Sequence, residues 1–314
     1  MKFGYNTFKE NALEKLTQLL GEGNVEEYTK TKTNGVKEEG VLLKVDNATI
    51  SPIVYFGDIE RIYDDDDVEL FVEKALDAYE EARKHTNTGV EHLRDWDVVK
   101  NYIRPRIINY RKNEERLMDI PHVRIMDLAV TFVIPSENVM PEYENGRIGV
   151  TEFLMKCYEV DEAIMYKQAI ENLERDGYEF GSLGELLNIK EPEMEGDVKC
   201  ASQNKLHMLT CSDGVGGAVT LLSNKILSEA CNKMDCERIY ILPSSVNEIL
   251  VLNTEDIDVE SLQKLVKDVN ETIVLPEEYL SDCVYLYDSV SDELKNMGEA
   301  NDEQNGFDHL GSIA

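Results

Sequence analysis

Residues 239–252 read Ile239-Tyr240-Ile241-Leu242-Pro243-Ser244-Ser245-Val246-Asn247-Glu248-Ile249-Leu250-Val251-Leu252. Two apolar runs flank a polar interruption, the pattern of two strands joined by a loop. Pro243 fixes φ and has no N–H to give to a strand ladder. Ser244, Ser245 and Asn247 are side chains that bond local backbone in turns. The stretch therefore predicts a hairpin with a loop of roughly four or five residues. A catalytic reading would make Ser244 or Ser245 a nucleophile. That chemistry needs a general base held in place by a third group. No histidine lies close in sequence, and the Gly-x-Ser-x-Gly elbow that exposes a serine between strand and helix is absent.

Working outward, hairpins followed by helices recur. On the N-terminal side, residues 7–20 have apolar residues at helical spacing, stopped by Gly21 and Gly23. Asn34-Gly35 lies between two strand-like runs and supplies the positive-φ positions of a tight turn, and residues 50–56 read as a third strand. Four aspartates, 64–67, precede a helix whose apolar face is Leu70, Phe71, Ala75, Ala78 and Tyr79. A second helix is expected from Trp96 to Met118, kinked or broken at Pro105. The run 130–134 is a buried strand, and Asn145-Gly146 closes a hairpin into Arg147–Val150. Thr151 and Asp161 cap two further helices.

Residues 188–204 are polar and aperiodic, a linker or long loop. After it come a strand at 206–211, a turn at 213–217, a second strand at 218–222 and a helix capped by Ser223. The 239–252 hairpin, a helix at 259–269 and a last strand at 283–287 complete the order. The expected fold class is α+β: mostly antiparallel sheets built from hairpin-plus-helix units, with helices packed on the sheets. The expected organisation is an N-terminal α+β region over 1–187, a C-terminal α+β region over 205–289 and a disordered acidic tail over 290–314.

The chain has 314 residues with 63 acidic and 32 basic side chains, a net charge of −31. Such a surface repels phosphate backbones and anionic lipid, which argues against nucleic-acid and membrane partners. No secretory signal and no run of about 20 apolar residues is visible, so a cytoplasmic protein is expected. The six cysteines form no C-x-x-C pair, and Cys231 and Cys236, five apart on an expected helix, should point in different directions. Reduced, mostly buried thiols follow, and neither a zinc site nor a disulfide framework is expected.

The remaining motifs are weak. The segment 213–219 lacks the lysine of a phosphate loop and leads into an apolar run. The aspartates 64–67 lack the alternation of a calcium loop and suit a helix start. No two histidines have metal-ligand spacing. One segment opposes the charge of the chain: Lys100, Arg104, Arg106, Arg111, Lys112, Arg116 and Arg124 face only Glu114, Glu115 and Asp119. Arginine forks hold carboxylate or phosphate groups at two points. Arg104, Arg106 and Arg111 are therefore the candidate site for an anionic ligand or partner, although self-pairing with the surplus carboxylates is the plainer account.

Several stretches resemble the family of uncharacterised bacterial proteins numbered 5688 among domains of unknown function. They are NATISPIVYF (47–56), VVKNYIRPRIINYRKNEERLMDIPHVRIMDLAVTFVI (98–134), IGVTEFLMKCYEVDEAIMYKQAIENL (148–173), IYILPSSVNEILVL (239–252) and VNETIVLPEEYLSDCVYLYD (269–288). The resemblance implies one intact folded unit and no known activity, cofactor or substrate. The family pattern carries a histidine before the glutamate of the hairpin. Here that position is Asn247, so no imidazole role transfers.

The expected function is a non-catalytic cytoplasmic interaction or ligand-binding protein, with an unidentified protein or small anionic ligand as partner and no cofactor or metal. The alternative is a hydrolase or transferase with a dispersed active site. His207, Ser245 and Glu248 would then meet at one sheet edge, assisted by Arg104.

Overall fold

The computed structural model describes residues 1–46, 51–57, 60–84, 91–140, 146–182, 206–212, 216–243, 245–253 and 258–298. The chain opens with helix α1 (Tyr5–Leu20), strands β1 (Val25–Thr31), β2 (Lys37–Leu43) and β3 (Ile53–Tyr55), and helix α2 (Asp65–Lys84). The strands form an antiparallel sheet in sequence order. Asn34 and Gly35 take positive φ, 60° and 75°, and reverse the chain between β1 and β2. Asp64 starts α2 by accepting from the Asp67 N–H, while the Asp67 carboxylate accepts from the Asp64 N–H. The buried stripe of α2 is Val68, Phe71, Val72 and Ala75, packed on Phe8, Leu16, Val41 and Phe56. Leu70, expected on this face, is 66% exposed. At about 100° per residue it lies on the side opposite Val68.

The expected helix from Trp96 to Met118 is not there. Helix α3 (Trp96–Val99) is followed by strand β4 (Arg104–Asn109) and helix α4 (Glu114–Leu117). The alternation Ile103, Pro105, Ile107 supplies one apolar edge-strand face, and Pro105 is tolerated because β4 is an outer strand. Strands β5 (Val123–Ile125), β6 (Leu128–Pro135) and β7 (Arg147–Gly149) complete this sheet. β6 lies in its middle, with β4 on one side and β5 and β7 on the other. Met126, at φ 54°, makes the tight turn between β5 and β6. Helices α5 (Glu152–Tyr158) and α6 (Glu162–Asp176) begin at Thr151 and Asp161, whose side chains accept from the N–H groups of Leu154 and Ile164. Asn145 and the 188–204 segment lie outside the described residues.

The third sheet holds β8 (Tyr178–Ser182) and β9 (His207–Cys211), then β10 (Arg238–Leu242), β11 (Ile249–Leu252), β12 (Tyr285–Asp288) and β13 (Glu293–Asn296). Its order is β13-β12-β10-β11-β9-β8, all antiparallel. The 239–252 hairpin is thus its centre. Helix α7 (Asn224–Lys233) starts at Ser223, which accepts from the Ile226 N–H, and helix α8 (Val259–Thr272) starts at Asp258.

Three expectations change here. Residues 217–222 are a buried 3₁₀ segment, not a strand, because both edges of β9 are already taken by β8 and β11. The segment packs so closely that a Cβ on Gly217 would stand 2.5 Å from both the Asn247 carbonyl oxygen and the Cys211 nitrogen. Residues 293–296 of the expected tail pair with β12 as β13, and residues 299–314 lie outside the described residues. Strand β10 ends at Leu242 and β11 begins at Ile249, a wider gap than a four- or five-residue loop, and the Thr210 hydroxyl donates to the Asn247 carbonyl within it. One continuous core joins Ile107, Phe132, Ala169 and Leu173 to Leu209, Leu227, Ile241 and Tyr285. The α+β class with antiparallel sheets holds.

Phe132 is 1% exposed at the heart of that core. Phe132→Ala should lower the unfolding free energy by about 3–5 kcal/mol in urea titrations. Leu70→Ala, on the exposed side of α2, should change it by about 0.5 kcal/mol or less. Equal effects would contradict this assignment of faces.

Candidate functional site

Strand alternation builds the site. The register Arg104↔Val133, Arg106↔Thr131, Val133↔Gly149 and Pro135↔Arg147 sets these residues on one face of the middle sheet. The other face sends Ile107, Val130, Phe132 and Ile134 into the core. Over the first face lies a cleft of about 550 Å³. Its cations are Lys30, Lys32, Arg106, Arg116 and Arg147; its carboxylates are Glu277 and Glu278; Ile120, Val133, Val150 and Val246 add apolar wall.

The guanidinium groups differ in their partners. Arg106 donates to the Thr33 hydroxyl at 2.8 Å. Burial lowers its pKa, and Arg116 and Arg147 lower it further, so the three positive groups feel one another. Burial also lowers the pKa of Arg116. Both stay cationic at neutral pH, as arginine does. Among the described residues, no carboxylate forms an ion pair with Arg106 or Arg116. Lys32, at the rim, pairs with Glu38 at 3.0 Å.

A second cavity of about 250 Å³ adjoins the first and shares Arg147 with it. Arg104 lines it, ion-paired to Asp176 and donating to the carbonyls of Asn101 and Ile103. Arg104 and Arg106 thus face two neighbouring cavities, and Arg111 sits exposed on the 3₁₀ turn at 111–113. The signal missed in the sequence was the strand period at 104–109. Read with a period of two, it puts Arg104 and Arg106 on one face. Nothing near Arg147, Lys30 or Lys32 in sequence points to their meeting.

Asparagines frame the cleft. The side chain of Asn34, from the β1–β2 turn, donates to the carbonyls of Pro276 and Tyr279, both at 2.8 Å. Asn113 accepts from the Asn34 N–H and donates to the Asn34 side-chain oxygen, again at 2.8 Å each. Asn113 also donates to the Asn109 carbonyl, and Asn109 to the Leu280 carbonyl. Two walls of the cleft, the 30–33 turn and the 277–278 segment, are tied to β4 by this chain of amides.

The hairpin loop supplies a third wall through Val246, whose N–H donates to the Glu278 carbonyl. Ser245 is buried, donates to Glu248 Oε1 at 2.9 Å and accepts from the Asn247 N–H at 3.0 Å. Asn247 accepts from the Thr210 hydroxyl on its carbonyl and from the Gly216 N–H on its side chain, and donates to Glu278 Oε1. The structure brings Ser245 and Glu248 together. His207 pairs with Val251 on β11, so it sits about 13 Å of strand away from the level of Asn247. Its ring stacks on Phe180 with centroids 5.0 Å apart. Ser244 and residues 213–215 lie outside the described residues.

Among the described residues, no group of three or more histidines, cysteines or carboxylates is placed to hold a metal ion, and no helix is long and apolar enough to cross a membrane. The model of a family of unknown function, DUF5688, matches residues 5–289. No curated protein and no solved structure matches the chain.

The Ser245 hydroxyl closes the turn by bonding within it. Ser245→Ala should cost about 1–3 kcal/mol in chemical denaturation, the cost of stranding a buried N–H. Ser245→Thr, which keeps the hydroxyl, should recover part of it. A variant as stable as the parent would show that the hydroxyl does not hold the turn.

Proposed function

The chain belongs to the DUF5688 family, and we propose that it is a non-catalytic binding protein whose cleft takes a small, multiply charged oxyanion. One observation carries this reading. Arg106 and Arg116 turn into one cleft with Arg147, and no described carboxylate pairs the first two, in a chain of net charge −31. With 63 carboxylates available, self-neutralisation would be the default, as Arg104 with Asp176 shows. Withdrawing a cation from water costs several kcal/mol unless a counter-charge meets it. A bound anion supplies that charge through paired guanidinium hydrogen bonds.

The volume supports a small molecule over a polymer, since small-ligand pockets span about 300–1,000 Å³. The net charge of −31 repels long polyanions, while a compact anion reaches the local positive field. Glu277, Glu278 and the apolar lining residues suit a ligand whose other end carries a hydroxyl or amine on a short carbon body.

Thermal-shift and calorimetric titrations with inorganic phosphate, pyrophosphate and citrate test the reading. A bound oxyanion should raise the melting temperature in a saturable way. Arg116→Gln and Arg106→Gln should each weaken binding by about 10- to 100-fold, the worth of one charge-assisted hydrogen bond. Arg111→Gln, on the exposed turn, should leave binding unchanged. Anions that bind none of these proteins, or bind the Arg106→Gln/Arg116→Gln double variant as tightly as the parent, would overturn it.

A further inference from the structure

Helix α7 does not continue to Cys236, and the way it stops brings two cysteines together. Met234 is its C-cap. Asp235 adopts φ 52°, the left-handed conformation. The Asp235 N–H donates to the Asn232 carbonyl at 3.3 Å, and the Cys236 N–H donates to the Cys231 carbonyl at 3.1 Å. This pair of bonds is the Schellman ending, in which the third helical residue from the end and the second residue beyond the cap are drawn into side-chain contact. Here those two residues are Cys231 and Cys236. Cys236 packs against the same apolar cluster that holds Cys231. The sequence expectation that residues five apart diverge assumes a helix running through both. The helix ends at Lys233.

We propose that Cys231 and Cys236 are a redox site that a peroxide converts into a reversible disulfide. A disulfide requires Cα atoms within about 4.4–6.8 Å, and the hydrogen bond closing the cap draws these two backbones together. The two thiols have unequal environments. Cys231 is 1% exposed, and Cys236 is partly exposed. The neighbouring Cys231 thiol and the Arg238 N–H lower the pKa of the Cys236 thiol, against burial and the Asp235 charge, which raise it. The same pairing and burial raise that of Cys231. Cys236, the more exposed of the two, is the thiol that a peroxide reaches first, and the buried Cys231 is the resolving thiol.

In the first step the Cys236 sulfur attacks one peroxide oxygen. An S–O bond forms, the O–O bond breaks, and hydroxide leaves to take up a proton as water. Cys236 is now a sulfenic acid. Cys231 then gives up its proton as its sulfur attacks Cys236. The S–S bond forms, the S–O bond breaks, and a second water departs. Two thiols have lost two electrons and one peroxide has gained them. An external dithiol reverses the change by thiol–disulfide exchange.

The 314-residue chain can be treated with hydrogen peroxide, blocked with N-ethylmaleimide and cut with trypsin, which cleaves after Lys225, Lys233 and Arg238. The expected product is residues 226–233 joined to residues 234–238, a species that dithiothreitol separates. Cys236 should disappear about tenfold faster than Cys157 or Cys211, as a thiolate favoured by its surroundings does. Cys231→Ala should trap Cys236 as a dimedone-reactive sulfenic acid. If that variant fails to fold, the linked peptide in the parent protein still decides the matter. Parent protein in which Cys231 and Cys236 remain alkylatable after peroxide, or in which Cys236 oxidises no faster than Cys157 and Cys211, would overturn the proposal.

Discussion

Strand β6 is paired along both edges, and its residues from Leu128 to Ile134 are buried. A strand in that position has no water for its N–H and C=O groups, so neighbouring strands must satisfy them. The constraint places β4 on one side and the short β5 and β7 on the other. It also fixes which side chains face which way, because a one-residue slip would turn Val130, Phe132 and Ile134 out of the core. The cationic face of the sheet, with Arg106 beside Thr131 and Arg147 beside Pro135, follows from that register.

Polar side chains then hold the layers around this sheet in one arrangement. The Asn34, Asn113 and Asn109 amides connect the first sheet's turn, β4 and the 276–280 segment. Asp127, at the β5–β6 turn, accepts from the hydroxyls of Ser281 and Tyr285 and from the Asn296 amide, which fastens the middle sheet to the third. The Tyr285 pKa is pushed well above its ordinary value, first by burial and then by the Asp127 charge, so the phenol stays a proton donor to that carboxylate. Groups buried at such junctions are costly if left unbonded, so they select one packing over near alternatives. Asn172 does the same within the middle region, where its amide closes the carbonyls of Lys100 and Ile103.

The charge distribution gives the cleft its contrast with the rest of the surface. Among the described residues, several cations pair with nearby acids at the exterior, as Arg83, Lys84 and Arg238 do with Glu80, Glu81 and Asp288. Such exposed pairs contribute little to stability. Arg106 and Arg116 differ from these in being half-buried in the cleft. The Ser245–Glu248 hydrogen bond and the Asn247 contacts serve the same cleft from the hairpin side, where they hold Val246 and Glu278 in its wall. Residues 245–248 are thereby an architectural element of the site.

Local chemistry written in the sequence determined the hairpin at 239–252, the Asn34-Gly35 reversal, the caps at Thr151, Asp161 and Ser223, and the antiparallel α+β class. Each depends on a few adjacent residues whose preferred torsions and hydrogen bonds do not need distant partners. Tertiary structure decided the rest. Residues 104–109 became a strand because β6 needed a neighbour; residues 217–222 did not, because β9 already had two. It also decided which of many arginines share a cleft, since Arg106, Arg116 and Arg147 meet only after three separate elements pack. Charge proximity in a folded chain is set by register and layer contacts, and those are properties of the whole core, which no short stretch encodes.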